Sequence, residues 1–549
     1  MEFDAVLIEP RRQAMTQAGL WHDRTADDYL AARLVTDADG LALSAFDLVA
    51  DTRRDLTWAE LDRLASRVAV GLRRLGVGRG DVVTCQLPNG WQFAVTYLGC
   101  SRIGAVFNPV MPIFREHELA FMLAHGQAKV FIVPQVFRGF DHQAMAERMR
   151  PDLPDLRHII VLGGDGPGSF DTVLSDPAFD ASAAGLDPAD RLGPNEVCQL
   201  IYTSGTTGEP KGVMHTANTM FANLSPFAER LGMGGDDVIM MFSPMAHQTG
   251  FMYGLLLPLM LGARSVLLNT WDKTRAAQIL RDERVTWTMA STPFLIDLTT
   301  AVEQDAIDTS ALRIFLCAGT AIPGPVVERA QQVMGARVVS AWGMTENGAV
   351  TTVRLDDAAD KSASSDGVPL PGMELCVRGA DGQPVPPGHE GELYVRGCSN
   401  FGGYLKRPQW NSTDAEGWFD TGDIARMDAD GYIRICGRSK DIIIRGAENI
   451  PVVEVEAALF RHPAVQSVAV VGYPDERLGE RACAFIVPKP GQTISLEQMT
   501  AHLRSCHFAT QYWPERLEIV DALPATASGK VQKFVLRNRL RTENQDGWG

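Results

Sequence analysis

The sequence contains no Cys-x-x-Cys pair. Its nine cysteines stand apart, at 85, 100, 198, 317, 376, 398, 436, 483 and 506. Neither a zinc-ligand set nor a disulfide framework is indicated, and a reducing, cytoplasmic setting suits them. Long apolar runs are also missing. The longest, Met252–Leu261, is interrupted by Gly254 and Pro258 and is too short to span a bilayer, so stable membrane insertion is not expected. The first ten residues are acidic and hold no long apolar core, which argues against a secretory signal. Basic charge is in deficit: 51 Lys and Arg face 67 Asp and Glu, a net charge of −16. No basic stripe favours nucleic acid, and an acidic surface disfavours anionic membranes. Internal repeats and low-complexity tracts are absent. Any polyphosphate ligand would therefore need cations gathered at one local site.

What is present is the patterning of a large layered protein. At 549 residues the chain exceeds a single ordinary core, so two or more domains are expected. Residues 56–76 read as an amphipathic helix, with Thr57 as its cap and Leu61, Leu64, Val68 and Leu72 as its stripe. Helix is expected again at 91–104. Strands are expected at 81–87, 105–108, 129–133, 158–162, 265–268, 286–290 and 312–317. That alternation predicts α/β layers with largely parallel sheets. From about 366 to 437 the texture turns to Gly/Pro turns and short alternating strands, such as Glu392–Arg396. After Gly437-Arg438 the α/β rhythm resumes, with helix at 452–460 and strands at 467–471 and 482–487, which places a junction at 439–441.

The densest chemistry lies in Tyr202-Thr-Ser-Gly-Thr-Thr-Gly-Glu-Pro-Lys-Gly-Val-Met214. Gly205 and Gly208 let the backbone fold tightly around an anion. Thr203, Ser204, Thr206 and Thr207 offer hydroxyl donors, Lys211 adds charge, and Pro210 stiffens the exit. The lysine spacing is not that of a Walker loop. The stretch closely resembles the signature loop of the adenylate-forming (ANL) superfamily: acyl-CoA synthetases, amino-acid adenylation domains and luciferases.

Four further segments resemble that family in its order. In Ala341-Trp-Gly-Met-Thr-Glu346 the resemblance gives Thr345 a phosphate contact and Glu346 the Mg²⁺, with Trp342 and Gly343 beside the nucleotide. In Gly417-Trp-Phe-Asp-Thr-Gly-Asp423 it makes Asp423 the ribose anchor, partnered by Arg438. Gly319-Thr320-Ala321 is the turn that relatives lay against adenine. In Ala527-Ser-Gly-Lys530 the lysine reaches the acyl carboxylate and α-phosphate. A glutamate after a turn, an aspartate beside Gly422 or a lysine opening a helix is unremarkable alone; five such segments in family order, from 203 to 530, are not. The resemblance implies a large N-terminal domain, 1–438, of two α/β layered subdomains plus a small β-barrel-like subdomain at about 366–437. A hinge at 439–441, centred on Lys440, and a small mobile α+β lid, 442–549, complete it. Rotation of the lid would bring Ile444–Ile450, including Gly446, to the active site; Ala447 departs from the usual Gly-Gly.

The implied reaction is ATP-dependent adenylation of a carboxylic acid followed by transfer to coenzyme A. The acyl pocket is expected from Pro244–Gly254, Ser291–Leu295 and the surroundings of Cys317 and Trp342, with His247 as the gating residue. No carboxylate occurs between Ser243 and Leu261 to pair an amino-acid ammonium, while Met245, Phe251, Met252 and Trp342 suit an apolar acid. The overall likeness is to bacterial ligases for cyclohexanecarboxylate and medium-chain acids. The context Pro524–Lys530 resembles one acetylated in bacterial acyl-CoA synthetases, which would make a protein acetyltransferase a partner at Lys530. Oligomeric state, a homodimer included, stays open. The rival readings are an enzyme loading a carrier-protein phosphopantetheine, a luciferase-like oxidase, and a catalytically inactive nucleotide-binding regulator.

Overall fold

The computed structural model describes residues 1, 3–203, 210–319, 322–438, 443–445, 448–475, 479–506, 508, 510–526, 529 and 531–545. Two large sheets dominate. The first has nine strands, in the order Val368–Pro369, Gly348–Thr352, Arg337–Met344, Ile314–Ala318, Trp287–Ala290, Val238–Met241, Arg264–Leu268, Leu41–Asp47 and Thr52–Thr57. Its middle strands are parallel and its edges antiparallel. The second has seven strands, in the order Gly403–Tyr404, Lys211–Thr216, Val197–Thr203, Val106–Pro109, Val82–Cys85, Ala128–Pro134 and His158–Leu162. It is parallel except at the edge formed by Lys211–Thr216 and Gly403–Tyr404.

Parallel strands are covered on both faces, which is why Val82–Cys85 and Val106–Pro109 are buried throughout and read as short apolar runs. The helix Trp58–Arg74 starts where a reciprocal cap forms: Thr57 accepts from the Glu60 N–H, and Glu60 accepts from the Thr57 N–H. It buries the expected stripe of Leu61, Leu64, Val68 and Leu72. One apolar body, including Val83, Phe107, Ile201, Val213, Met241 and Trp342, joins the two sheets. A second covers the far side of the nine-stranded sheet around Phe315 and Val338, and a third the far side of the other around Phe131 and Leu200.

The β-rich segment holds a four-stranded antiparallel sheet, Met373–Arg378, Glu390–Gly397, Phe419–Met427 and Ile433–Arg438. Its outer strands do not pair among the described residues, so the sheet is open rather than a closed barrel. It is also stitched into its neighbours: Gly403–Tyr404 joins the seven-stranded sheet and Val368–Pro369 the nine-stranded one.

The C-terminal part is α+β. Glu448–Ile450, Ile443–Arg445, Gly479–Pro488, Val465–Asp475 and Arg516–Ile519 form one sheet, accompanied by the helices Val452–Phe460, Leu496–Ser505 and Lys533–Gln545. It has its own apolar clusters, one around Val455, Leu459 and Ile486 and one around Phe485, Leu536 and Leu540. Its helix Val452–Phe460 meets the four-stranded sheet through Glu454, 3.1 Å from Arg426. A cavity of about 210 Å³ lies beside that pair, lined by Arg434, Cys436, Val453 and Ala457 among others. Among the described residues, no helix is long and apolar enough to cross a membrane.

Candidate active site

The edge of the seven-stranded sheet presents the first cation. Lys211 opens the strand Lys211–Thr216 directly opposite Thr203, the last residue of Val197–Thr203, so the two ends of the Gly/Thr loop are clamped together by strand pairing. Ser204, Gly205, Thr206, Thr207 and Gly208, between them, lie outside the described residues. The Lys211 ammonium sits 4.6 Å from the Tyr404 ring centre and 5.6 Å from that of Trp410.

The strand Arg337–Met344 presents the second group. Past its end, Glu346 is buried, and its Oε1 accepts a hydrogen bond from the Tyr404 hydroxyl at 2.7 Å. Burial, reinforced by Glu346 beside it, pushes the Tyr404 phenol far up, so the hydroxyl stays protonated and donates. The Phe401 N–H donates to the Glu346 carbonyl at 2.7 Å, and Leu405 N–H to the Gly212 carbonyl at 2.8 Å. One short segment thus fastens Glu346 and the lysine strand together. Thr345 is held through its carbonyl, which accepts from His215 Nε2 at 2.7 Å. His215 is buried, and burial lowers its pKa to about 4; its ring is neutral near pH 7.

The third group is Asp423 on Phe419–Met427. It is buried; its Oδ2 accepts from Trp342 Nε1 at 2.9 Å and its Oδ1 from Arg438 Nε at 3.2 Å. Asp423 and Arg438 are also opposed in strand register. Trp342 therefore ties the carboxylate of the four-stranded sheet to the strand that leads to Thr345 and Glu346. Gly343, next along, is required by close approach: a Cβ there would fall 1.9 Å from the Gly348 carbonyl oxygen.

Other expected residues are placed separately. Gly319 follows the strand Ile314–Ala318; Thr320 and Ala321 lie outside the described residues, as do Lys440, Gly446 and Lys530. Gly529 is described, and it packs against the turn expected in the acyl site: a Cβ on it would fall 2.7 Å from Ser291 Oγ and 3.4 Å from Pro293 Cγ. His247 caps the short helix Gln248–Phe251, its Nδ1 accepting from the Thr249 N–H at 3.3 Å. The turn before it is pinned by Asn89, which accepts from Met245 N–H and donates to the Ser243 carbonyl. Met245, Phe251 and Met252 are fully buried. Phe251 packs with Phe93, Tyr97 and Phe107, so its first role is in the core.

Tyr404 and His215 carried no sequence signal that singled them out. Tyr404 follows Gly402-Gly403 without an adjacent charged residue, and His215 directly follows the apolar pair Val213-Met214. Only pairing across 58 and 130 residues exposes them.

This arrangement coincides with two family matches. Residues 35–405 match the AMP-binding enzyme family and residues 454–530 the AMP-binding enzyme C-terminal domain. The medium-chain fatty-acid–CoA ligase of Escherichia coli (strain K12) is 38% identical over 543 residues, 98% of this chain and 94% of that protein. A salicylyl-CoA synthase/salicylate adenylyltransferase from a Streptomyces species is 34% identical, over 96% of this chain and 95% of its own. The crystal structure of the anthranilate CoA ligase AuaEII with anthranoyl-AMP matches with a TM-score of 0.84 at 28% identity, covering 95% of this chain and 98% of that one. The chain belongs to the AMP-binding enzymes, the adenylate-forming superfamily.

Proposed function

We propose that this protein is an acid–CoA ligase that activates an apolar carboxylic acid, medium-chain or alicyclic/aromatic, with ATP. The observation that carries the reading is the convergence of a clamped loop lysine, Lys211, a hydroxyl-held carboxylate, Glu346, and a doubly held carboxylate, Asp423, at the meeting of three sheets. An acid oxygen attacks the α-phosphorus, the bond to pyrophosphate breaks, and an acyl-AMP anhydride results. The thiolate of coenzyme A then attacks the acyl carbon, and the acyl–oxygen bond to AMP breaks. The protein's task is to orient the acid and to balance phosphate charge. Lys211 and the loop hydroxyls hold the phosphates, Thr345 adds a phosphate contact, and Asp423 takes the ribose hydroxyls with Arg438 alongside. Lys530 reaches the reacting carboxylate and α-phosphate. A single lysine contact at about 4 Å in an effective dielectric near 20 contributes roughly 4 kcal/mol before desolvation.

Among the described residues no three His, Cys, Asp or Glu side chains converge on a metal position. One carboxylate completed by phosphate oxygens and water is how Mg²⁺ is usually held, and Glu346 fits that donor set. Bound there, the ion would neutralise charge on the departing pyrophosphate. Residues 442–549 act as the lid and Lys440 as its pivot.

The decisive experiment is pyrophosphate release over a panel of acids, with and without coenzyme A. Medium-chain and cyclic acids should give release and CoA consumption. Release that loads a carrier protein and leaves CoA untouched would establish instead an adenylation enzyme that loads a carrier-protein phosphopantetheine. No release with any acid would overturn both.

A further inference from the structure

We propose that Tyr404 is a positioning residue that keeps the two opposite charges of the nucleotide site apart until a ligand claims them. The inference rests on the reading of this site as one for ATP with Mg²⁺. Lys211 and Glu346 touch the same side chain by different means. The Lys211 ammonium lies over the Tyr404 ring and near that of Trp410, at 4.6 and 5.6 Å, while the Tyr404 hydroxyl donates to Glu346 Oε1 at 2.7 Å. Among the described residues no carboxylate pairs with Lys211.

The physical problem is plain. An ammonium and a carboxylate this close to a common side chain would neutralise each other as a buried ion pair. Phosphate and Mg²⁺ would then have to break that pair. An aromatic face satisfies the ammonium more weakly than a carboxylate does, so the lysine yields readily to phosphate. A phenol satisfies one carboxylate oxygen without cancelling its charge, so the carboxylate keeps its attraction for a cation. Tyr404 can serve both because its backbone is fixed. It pairs with Val213 at the sheet edge, its N–H donates to Asn411 Oδ1 at 2.9 Å, and its neighbour Phe401 is bonded to the Glu346 carbonyl.

The two functions separate by substitution. Tyr404→Phe keeps the ring and loses the donor; Trp410→Leu weakens the lysine's aromatic berth and leaves the donor. Binding is read by calorimetric titration of ATP without metal, then of ATP across a Mg²⁺ series, with circular dichroism and thermal melting confirming each fold. We expect Tyr404→Phe to raise the half-saturating Mg²⁺ concentration about tenfold while metal-free ATP affinity stays within twofold. Trp410→Leu should shift metal-free ATP affinity several-fold and leave the Mg²⁺ dependence unchanged. Equal shifts of both quantities in both variants, or no shift in either, would overturn the proposal. Should wild-type protein bind ATP yet adenylate no acid, the ligase reading fails, and the same titrations still decide the role of Tyr404.

Discussion

Asp423 holds its place through two donors of different kinds, a neutral indole and a charged guanidinium. Trp342→Phe deletes the indole N–H and preserves most of the ring, leaving one carboxylate oxygen to find water. A hydrogen bond to a charged group contributes about 1.5–3 kcal/mol to stability, so the unfolding midpoint should drop, and AMP affinity of the folded protein, measured by titration, should fall about tenfold. His215 makes a different demand. Its pKa is lowered to about 4 by burial, whereas an unfolded histidine takes a proton near 6.5. Between those values the unfolded chain binds the extra proton, so stability is full above about pH 6.5 and is lost as pH falls towards 4. The full difference is about 3 kcal/mol. Urea unfolding at pH 7 and pH 4.5 should show wild type losing more than that, since a second buried histidine adds its own share. His215→Gln, which can still donate to the Thr345 carbonyl, should lose correspondingly less, with the rest of the slope carried by His142, also lowered to about 4. Neither Tyr404 nor His215 was legible from sequence, because each reaches the site across a long stretch of chain, Tyr404 to Glu346 and Lys211 and His215 to Thr345.

At the scale of the element, local physics was readable wherever it repeats. The strand expected at 158–162 is found as His158–Leu162 and the helix at 452–460 as Val452–Phe460; the capped helix from Thr57 runs Trp58–Arg74. Buried parallel strands and reciprocal caps announce themselves through residues a few positions apart. The hairpin Leu41–Asp47 and Thr52–Thr57 did not, since Thr52-Arg-Arg-Asp is polar throughout and takes its strand form from pairing with Leu41–Asp47 at the sheet edge. The strand pair that carries Trp342 likewise depends on contact the sequence does not display. The Gly348 carbonyl lies where a side chain on Gly343 would be. Gly343→Ala must therefore separate Arg337–Met344 from Gly348–Thr352 and move Thr345 and Glu346 with it. Overpacking of this kind costs about 1–3 kcal/mol or more. The expected result is a lowered unfolding midpoint together with a loss of pyrophosphate release larger than the stability change explains.

For the whole molecule, the question is what the C-terminal part does from where it sits. It has its own apolar clusters, touches the four-stranded sheet through Arg426–Glu454, and sets Gly529 on Ser291 at the start of the helix Thr292–Asp305. Gly529 has φ +80, a conformation that disfavours any side chain, and a Cβ there would press on Ser291 Oγ at 2.7 Å. If Lys530, the next residue, serves adenylation from this seat, the two half-reactions must respond differently. Lys530→Ala should slow acyl-AMP formation by about 10²–10³. Gly529→Ala, which keeps the lysine and disturbs only the seat, should slow the same step to a lesser degree. Thioester formation from supplied acyl-AMP should survive in both if, as proposed, the lid swings the lysine away for that step. Single-turnover measurement of each half separates the cases. Equal losses in both halves would mean that the C-terminal part works from one fixed position, and that Gly529 meets Ser291 as ordinary packing.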